Sequence, residues 1–384
     1  MLHKLKKIDV PIVVILLAFM VISTMLVYSA TLNSRTIAFE PTKIMVIYIV
    51  SIIAFLVTTL IDYRILTKVS FYLYGFGVFL LIAVLLFGQK IGGARGWFSL
   101  PVVKLDFQPV ELFKIILILT LAMFIARRKG EPLELLQDVI PIGLITFIPV
   151  VLVAVQPDLG NAMILVVILC GMYWIGNMRL SYLLIGALLI AGAAYLFLYL
   201  FENYHTDIQQ FFQAQKWPTH WMDRINTFIS PETASKDDKW QVDNAIRAIG
   251  SGSLLGEGYL NGASVHSNRI PVVYTDAIFV VVGEEFGFVG ASVLLLMYFV
   301  LIYRMILISI YCNHLTGTYI IIGIVSMMVF QIFENISMWI GIMPVTGITL
   351  PFISYGGTSQ LINMIAMGLV MSVRLHDDKL LEDE

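Results

Sequence analysis

Pro271-Val-Val-Tyr-Thr-Asp276-Ala-Ile-Phe-Val-Val-Val-Gly-Glu284-Glu285-Phe-Gly-Phe-Val-Gly290 opens a long apolar run, with one carboxylate at its mouth and two more deeper in. At a rise of 1.5 Å per residue the second pair lies about 12 Å further along the same helix. An ionisable group within a membrane span costs roughly 2.5–3.5 kcal/mol on insertion scales and ordinarily faces a cavity or a partner. These acids therefore need a use or a neutralising group. Glu284 lies about 80° round the helix from Asp276 and Glu285 about 180°. That angle assigns Glu284 to the cavity of Asp276, and gives Glu285, like Glu334-Asn335, to interhelical hydrogen bonds.

The rest of the chain carries the same apolar character. Of 384 residues 59% are hydrophobic and 13% charged, against about 25% charged in a soluble domain. Runs of apolar residues predict an all-α polytopic membrane protein of about ten transmembrane helices. They fall at 11–30, 44–61, 70–88, 109–126, 139–155, 161–176, 180–201, 277–303, 317–339 and 358–374. The chain reads as one membrane domain over 1–384. Near-neutral net charge gives no sign of a nucleic-acid partner. Two cysteines, Cys170 and Cys312, make no disulfide framework. Lys4, Lys6 and Lys7 before an apolar core resemble a signal peptide, but the run is long and Tyr28 spoils the cleavage pattern, so it reads as a retained first span. Lys and Arg then concentrate in the loops at Arg64/Lys68, Arg127/Arg128/Lys129, Arg179, Arg304 and Arg374, which places both termini in the cytoplasm.

One loop is out of scale. Residues 202–275 are polar and aromatic, fall on the outer face, and predict a functional segment. Phe211, Phe212, Trp217 and Trp221 suit the membrane interface. A helical piece around Trp240–Ile249 ends at a glycine-rich run, 250–258, whose spacing does not fit a dinucleotide fingerprint and reads as turns.

The unusual polar groups gather at the outer ends of the spans. Gly92-Gly-Ala-Arg95-Gly-Trp97-Phe98 combines a flexible backbone with a cation and an aromatic ring. Pro109 suits the first turn of a helix, on which Glu111 and Lys114 share a face and can pair. Asp158 in Gln156-Pro-Asp158-Leu-Gly160 suits a helix cap. Asp276 suits a cap as well, yet burial opposes the helix N-terminus in setting its protonation, which is how a carboxylate becomes a general base. Gly341 to Ser359, with Pro344, Pro351 and Ser354, mixes helix breakers with apolar residues. It reads as a re-entrant segment buried in protein. Scattered histidines, among them His205, His220 and His266, form no recognisable metal site and read as surface residues.

Several of these motifs together resemble the SEDS family (shape, elongation, division and sporulation): Gln108-Pro-Val-Glu111-Leu-Phe-Lys114, Gln156-Pro-Asp158-Leu-Gly160, Ala248-Ile-Gly-Ser-Gly252, Thr275-Asp276-Ala-Ile-Phe279, Gly283-Glu284-Glu285-Phe-Gly287 and Pro344 to Gly357. Tyr274-Thr-Asp276 and Leu260-Asn-Gly262 resemble its RodA-type members more than its FtsW-type members. The chain departs from the family pattern at Ala277, Thr349, Val110 and Thr358, none of which removes a charge. The resemblance implies a ten-span peptidoglycan glycosyltransferase of the bacterial cytoplasmic membrane. Such an enzyme polymerises lipid II and works with a class B penicillin-binding protein and other elongation or division machinery.

The residues suit that chemistry. The acceptor 4-hydroxyl must lose a proton, for which Asp276 is the candidate general base. The leaving diphosphate needs positive charge from Lys114, Arg95 or Arg247, or from a divalent cation, magnesium or manganese. Glu111, Asp158, Trp97, Glu284 and Ser354 complete the expected substrate-binding set. Two other classes stay open at this point. A lipid flippase or transporter would also place acids and broken helices in the membrane, although its polar groups should continue across the bilayer. A non-catalytic scaffold for a penicillin-binding protein would give no reason for Asp276 and Lys114.

Overall fold

Helices account for nearly all of the regular structure in a computed structural model. It describes residues 8–33, 39–91, 94–100, 105–189, 191–192, 195–196, 199–200, 236–267, 270 and 272–377. In chain order the helices are α1 (Val10–Thr31), α2 (Pro41–Leu60), α3 (Tyr63–Phe87), α4 (Pro109–Ala126), α5 (Ile140–Val155, entered through a π turn at Leu135–Val139), α6 (Leu159–Ile175), α7 (Leu180–Leu189), α8 (Lys236–Ser251), α9 (Ala263–His266), α10 (Ile278–Tyr311), α11 (Leu315–Trp339) and α12 (Gly357–His376). Eight of the described helices are long and apolar enough to cross a membrane, and α6 and α7 are shorter apolar helices. The eight fall on eight of the ten expected spans, and α6 and α7 fall within the other two, 161–176 and 180–201, to within two residues. Boundaries move where caps decide them. Pro41, Pro109 and Pro141 sit in first turns, where a missing N–H costs nothing. Asp62 and Asp158 cap α3 and α6 through their carboxylates.

The bundle has a centre and a rim. Seventy-eight per cent of the apolar window of α4, and as much of α12, is buried within the protein, against 22% for α3. α3 packs on α4, α12 on α2, and α11 lies against α4, α6 and α10. Exposed Phe71, Tyr72, Phe76, Phe79 and Phe87 on α3 form an apolar outer face suited to lipid.

At one end, Asp9 caps α1 and binds both Arg304 of α10 and Arg374 of α12, at 2.5 Å each. The opposite end carries what the sequence reading took for a flexible glycine stretch. It is an antiparallel sheet in the order β1–β2–β3 (Gln89–Ile91, Ala94–Leu100, Leu105–Phe107). Trp97 pairs with Gln89, and Phe98 with Phe107. The aromatic pair Trp97-Phe98 favours a strand over the loop that the neighbouring glycines suggest. The aromatic first half of the expected long loop, with Trp217 and Trp221, lies outside the described residues.

Candidate functional site

At the sheet end α4 and α6 begin side by side, and their first turns carry a buried polar network. Lys114 Nζ donates to Glu111 Oε1 at 2.8 Å and to Asn161 Oδ1 at 3.1 Å. Asn161 Nδ2 and Gln108 Nε2 both donate to Asp158 Oδ2, each at 2.9 Å. Asp158 Oδ1 accepts the Asn161 backbone N–H at 3.2 Å. Burial pushes the Asp158 carboxyl above its ordinary range, opposed by the Asn161 bonds and the Lys114 charge.

The network thus joins Glu111, Lys114 and Asp158 as the sequence suggested, but not as a substrate surface. Lys114 has no exposed area. An ammonium so enclosed reaches a diphosphate only by breaking its pair with Glu111. Asn161 and Gln108, which hold the network together, were missed as site residues. An Asn three residues beyond a capping Asp carries no signal of its own.

Asp276 sits across α11 from this network. It does not begin a helix as expected. α10 starts at Ile278, and Asp276 lies in the turn before it. Its backbone carbonyl accepts from Asn335 Nδ2 at 2.7 Å and Trp339 Nε1 at 2.8 Å. The Thr275 hydroxyl lies 2.9 Å from both Asp276 Oδ1 and the Val272 carbonyl, with one proton to give. Asn335 also donates to the Ile348 carbonyl at 2.7 Å, so one amide ties the turn to the irregular segment 341–356. The neighbouring Glu334 is fully buried and faces the first turn of α6. A Cβ on Gly160 would stand 2.7 Å from its Oε1. Among the described residues no donor meets either Glu334 oxygen with good hydrogen-bond geometry, and the Thr346 hydroxyl of the irregular segment is the polar group beside it.

The irregular segment is buried as its hydrophobicity predicts. Leu350, Phe352 and Ile353 are 1%, 2% and 0% exposed. The Tyr355 N–H donates to the Tyr274 carbonyl at 2.9 Å, two residues before Asp276. Ser354 Oγ accepts from the Leu350 N–H at 2.8 Å. Ser354 also lines a small cavity with Ser23, Val27, Ile44, Tyr48 and Gln360. Arg95 is exposed on β2, where its backbone N–H donates to the Gln156 carbonyl at 3.3 Å. Trp97 is half-buried beside it. Arg247 is exposed on α8.

Glu284 is a correction. It is fully buried, and its two oxygens accept the backbone N–H groups of Ser264 at 2.7 Å and Val265 at 2.9 Å. It fixes the first turn of α9 and does not share a cavity with Asp276. The angular argument failed because Asp276 is not on the helix. Glu285 accepts from Ser29 Oγ on α1, the interhelical bond expected of it. Among the described residues no group of three or more His, Cys, Asp or Glu side chains could hold a metal ion. The divalent cation considered for the diphosphate therefore finds no protein ligand set there, and no step below runs through it.

An all-helical bundle with apolar spans and a polar site at one end defines a polytopic membrane protein built to work at that end. The chain belongs to the cell cycle protein family FtsW/RodA/SpoVE, whose profile matches residues 5–379. It is 34% identical to peptidoglycan glycosyltransferase MrdB of Escherichia coli K12 over 368 residues, 96% of this chain and 94% of that protein. It superposes with a TM-score of 0.74 at 27% identity on a chain from a peptidoglycan synthase complex that coordinates polymerization and crosslinking, covering 94% of this chain and 98% of that one. On the rod shape determining protein RodA of Thermus thermophilus the TM-score is 0.67 at 26% identity, covering 95% and 96%.

Proposed function

We infer that this chain is a peptidoglycan glycosyltransferase that polymerises lipid II at the sheet end of the bundle, with Asp276 as general base. The observation that carries the assignment is selective exposure. Glu111, Asp158, Glu284, Glu285 and Glu334 are between 0% and 7% exposed. Of the acids expected at the site or beside it, Asp276 alone is not buried. Its backbone is pinned by Asn335 and Trp339 while the residue as a whole stays half-buried.

In the reaction the acceptor sugar's 4-hydroxyl oxygen attacks the donor's anomeric carbon. The bond from that carbon to the diphosphate oxygen breaks, and the diphosphate leaves on its lipid. The hydroxyl proton passes to Asp276. Arg95, exposed near the start of α4, supplies charge for the leaving group. Lys114 acts indirectly, by holding Glu111, Asn161 and, through Asn161, Asp158 in place. The sheet end then faces outward, with both termini cytoplasmic. A class B penicillin-binding protein, together with the elongation machinery, takes up the glycan for crosslinking.

Purified protein incubated with lipid II tests the reading. Glycan strands from wild type, lost in Asp276→Asn, support it. Translocation of lipid II across vesicles without polymer would favour a flippase, and neither activity a scaffold.

A further inference from the structure

The segment that leads to Asp276 is fastened to α10 at a break in that helix. Gly287 takes φ 63° and ψ −159° within α10. The carbonyls of Glu284 and Glu285 accept instead from the N–H groups of Glu257 and Gly258, at 2.9 and 3.0 Å. α9 then hangs on the Glu284 carboxylate, and its last residue is His266. His266 Nε2 lies 3.3 Å from Glu285 Oε1, with the two side chains 13% and 0% exposed. Among the described residues neither imidazole nitrogen makes a hydrogen bond of good geometry, and Glu285 Oε2 meets no donor.

A buried carboxylate that receives one hydroxyl bond gains much from a neighbouring positive charge. Histidine is the side chain that ordinarily changes charge between about pH 5 and 8. Among the described residues, the elements packed on α9 carry further titratable or charged groups. Glu284 and Glu285 lie on α10, Tyr28 on α1, and Asp243 and Arg247 on α8, while Glu257 and Tyr259 lie in the preceding turn. Glu284 and Glu257 are already engaged by backbone N–H groups of α9. Burial, helped by the Glu285 charge, pushes the Tyr259 hydroxyl up, so it stays neutral.

We propose that His266 is a positioning residue. Once protonated it pairs with Glu285 and latches the 256–266 segment, and with it the approach to Asp276, onto α10. The latch needs the charged imidazole and is absent when the ring is neutral. Its catalytic consequence rests on Asp276 being the base.

The test reads the latch itself first. Hydrogen exchange of the full chain in lipid nanodiscs, corrected for intrinsic rates, follows amides 257–267 between about pH 5.5 and 8. Protection should rise several-fold towards the acid end in wild type and stay level in His266→Gln. His266→Lys, which is charged throughout, should stay protected across the range and guards against simple misfolding of the Gln variant. The same pH response in wild type and His266→Gln would overturn the proposal. The ratio of lipid II polymerisation rates at acid and neutral pH should likewise differ between wild type and His266→Gln. Loss of all polymerisation in wild type would sink the general-base reading and leave the exchange result to judge the latch.

Discussion

Asp276 and Lys114 looked alike in the sequence, as charged residues where apolar spans begin. Folding separates them. Lys114 is enclosed with Glu111 and Asn161, whereas Asp276 is only half-buried, with its carboxyl beside the Thr275 hydroxyl. Asp276→Asn should lower the polymerisation rate by about 10²–10⁴-fold with normal yield in membranes, because the amide is nearly isosteric but takes no proton. A rate near wild type would remove Asp276 from the chemistry. Lys114→Met should destabilise the protein by roughly 3–5 kcal/mol, because it leaves Glu111 buried without its cation. Adding Glu111→Gln should restore much of the thermal stability. A Lys114→Met single variant as heat-stable as wild type would contradict the ion pair. The sequence revealed that Glu111 and Lys114 share a face, since a spacing of three decides that. It could not reveal their enclosure, which depends on α6 bringing Asn161 against α4.

The spans were legible as elements because each carries an apolar run, and α1 to α6 all open on a proline or a capping aspartate. The sheet at 89–107 was not, since three short strands among glycines give little periodic signal. The break in α10 was hidden for a related reason. Gly287 lies in a run that stays apolar on both sides of Glu284-Glu285, and only the loop inserted against it shows why a side chain is excluded there. A Cβ at 287 would meet the Gly256 nitrogen at 2.4 Å and the Gly252 oxygen at 2.7 Å, both backbone atoms. The Gly287 φ of 63° with ψ −159° falls in a region essentially confined to glycine and adds about 1–3 kcal/mol for any L residue. Gly287→Ala should therefore detach the 252–258 turn and raise hydrogen exchange there, with α11 and α12 unaffected. Exchange equal to wild type in that turn would mean that the helix break does not depend on the glycine.

Across the whole molecule, polar groups divide between two ends joined by apolar helices. The sheet end holds the candidate chemistry, and the other is closed by Asp9, which draws α1, α10 and α12 together through Arg304 and Arg374. The sequence marked this end only as rich in Lys and Arg. Nothing in the pattern said that one N-cap aspartate would gather two arginines some three hundred residues away. The division separates stability from catalysis. Asp9→Asn keeps a capping side chain but removes the negative charge between two guanidinium groups. The cost should be on the order of 2 kcal/mol, below the ~3–5 kcal/mol of a fully buried pair, because both arginines are partly exposed. Thermal unfolding in detergent should report that loss as a lower midpoint. The polymerisation rate per folded molecule should stay close to wild type, since Asp9 lies at the far end of the bundle from Asp276. If instead Asp9→Asn cut the rate at unchanged stability, the two ends would be conformationally coupled, and α10, which carries Arg304 near one end and follows Asp276 at the other, would be the element that connects them.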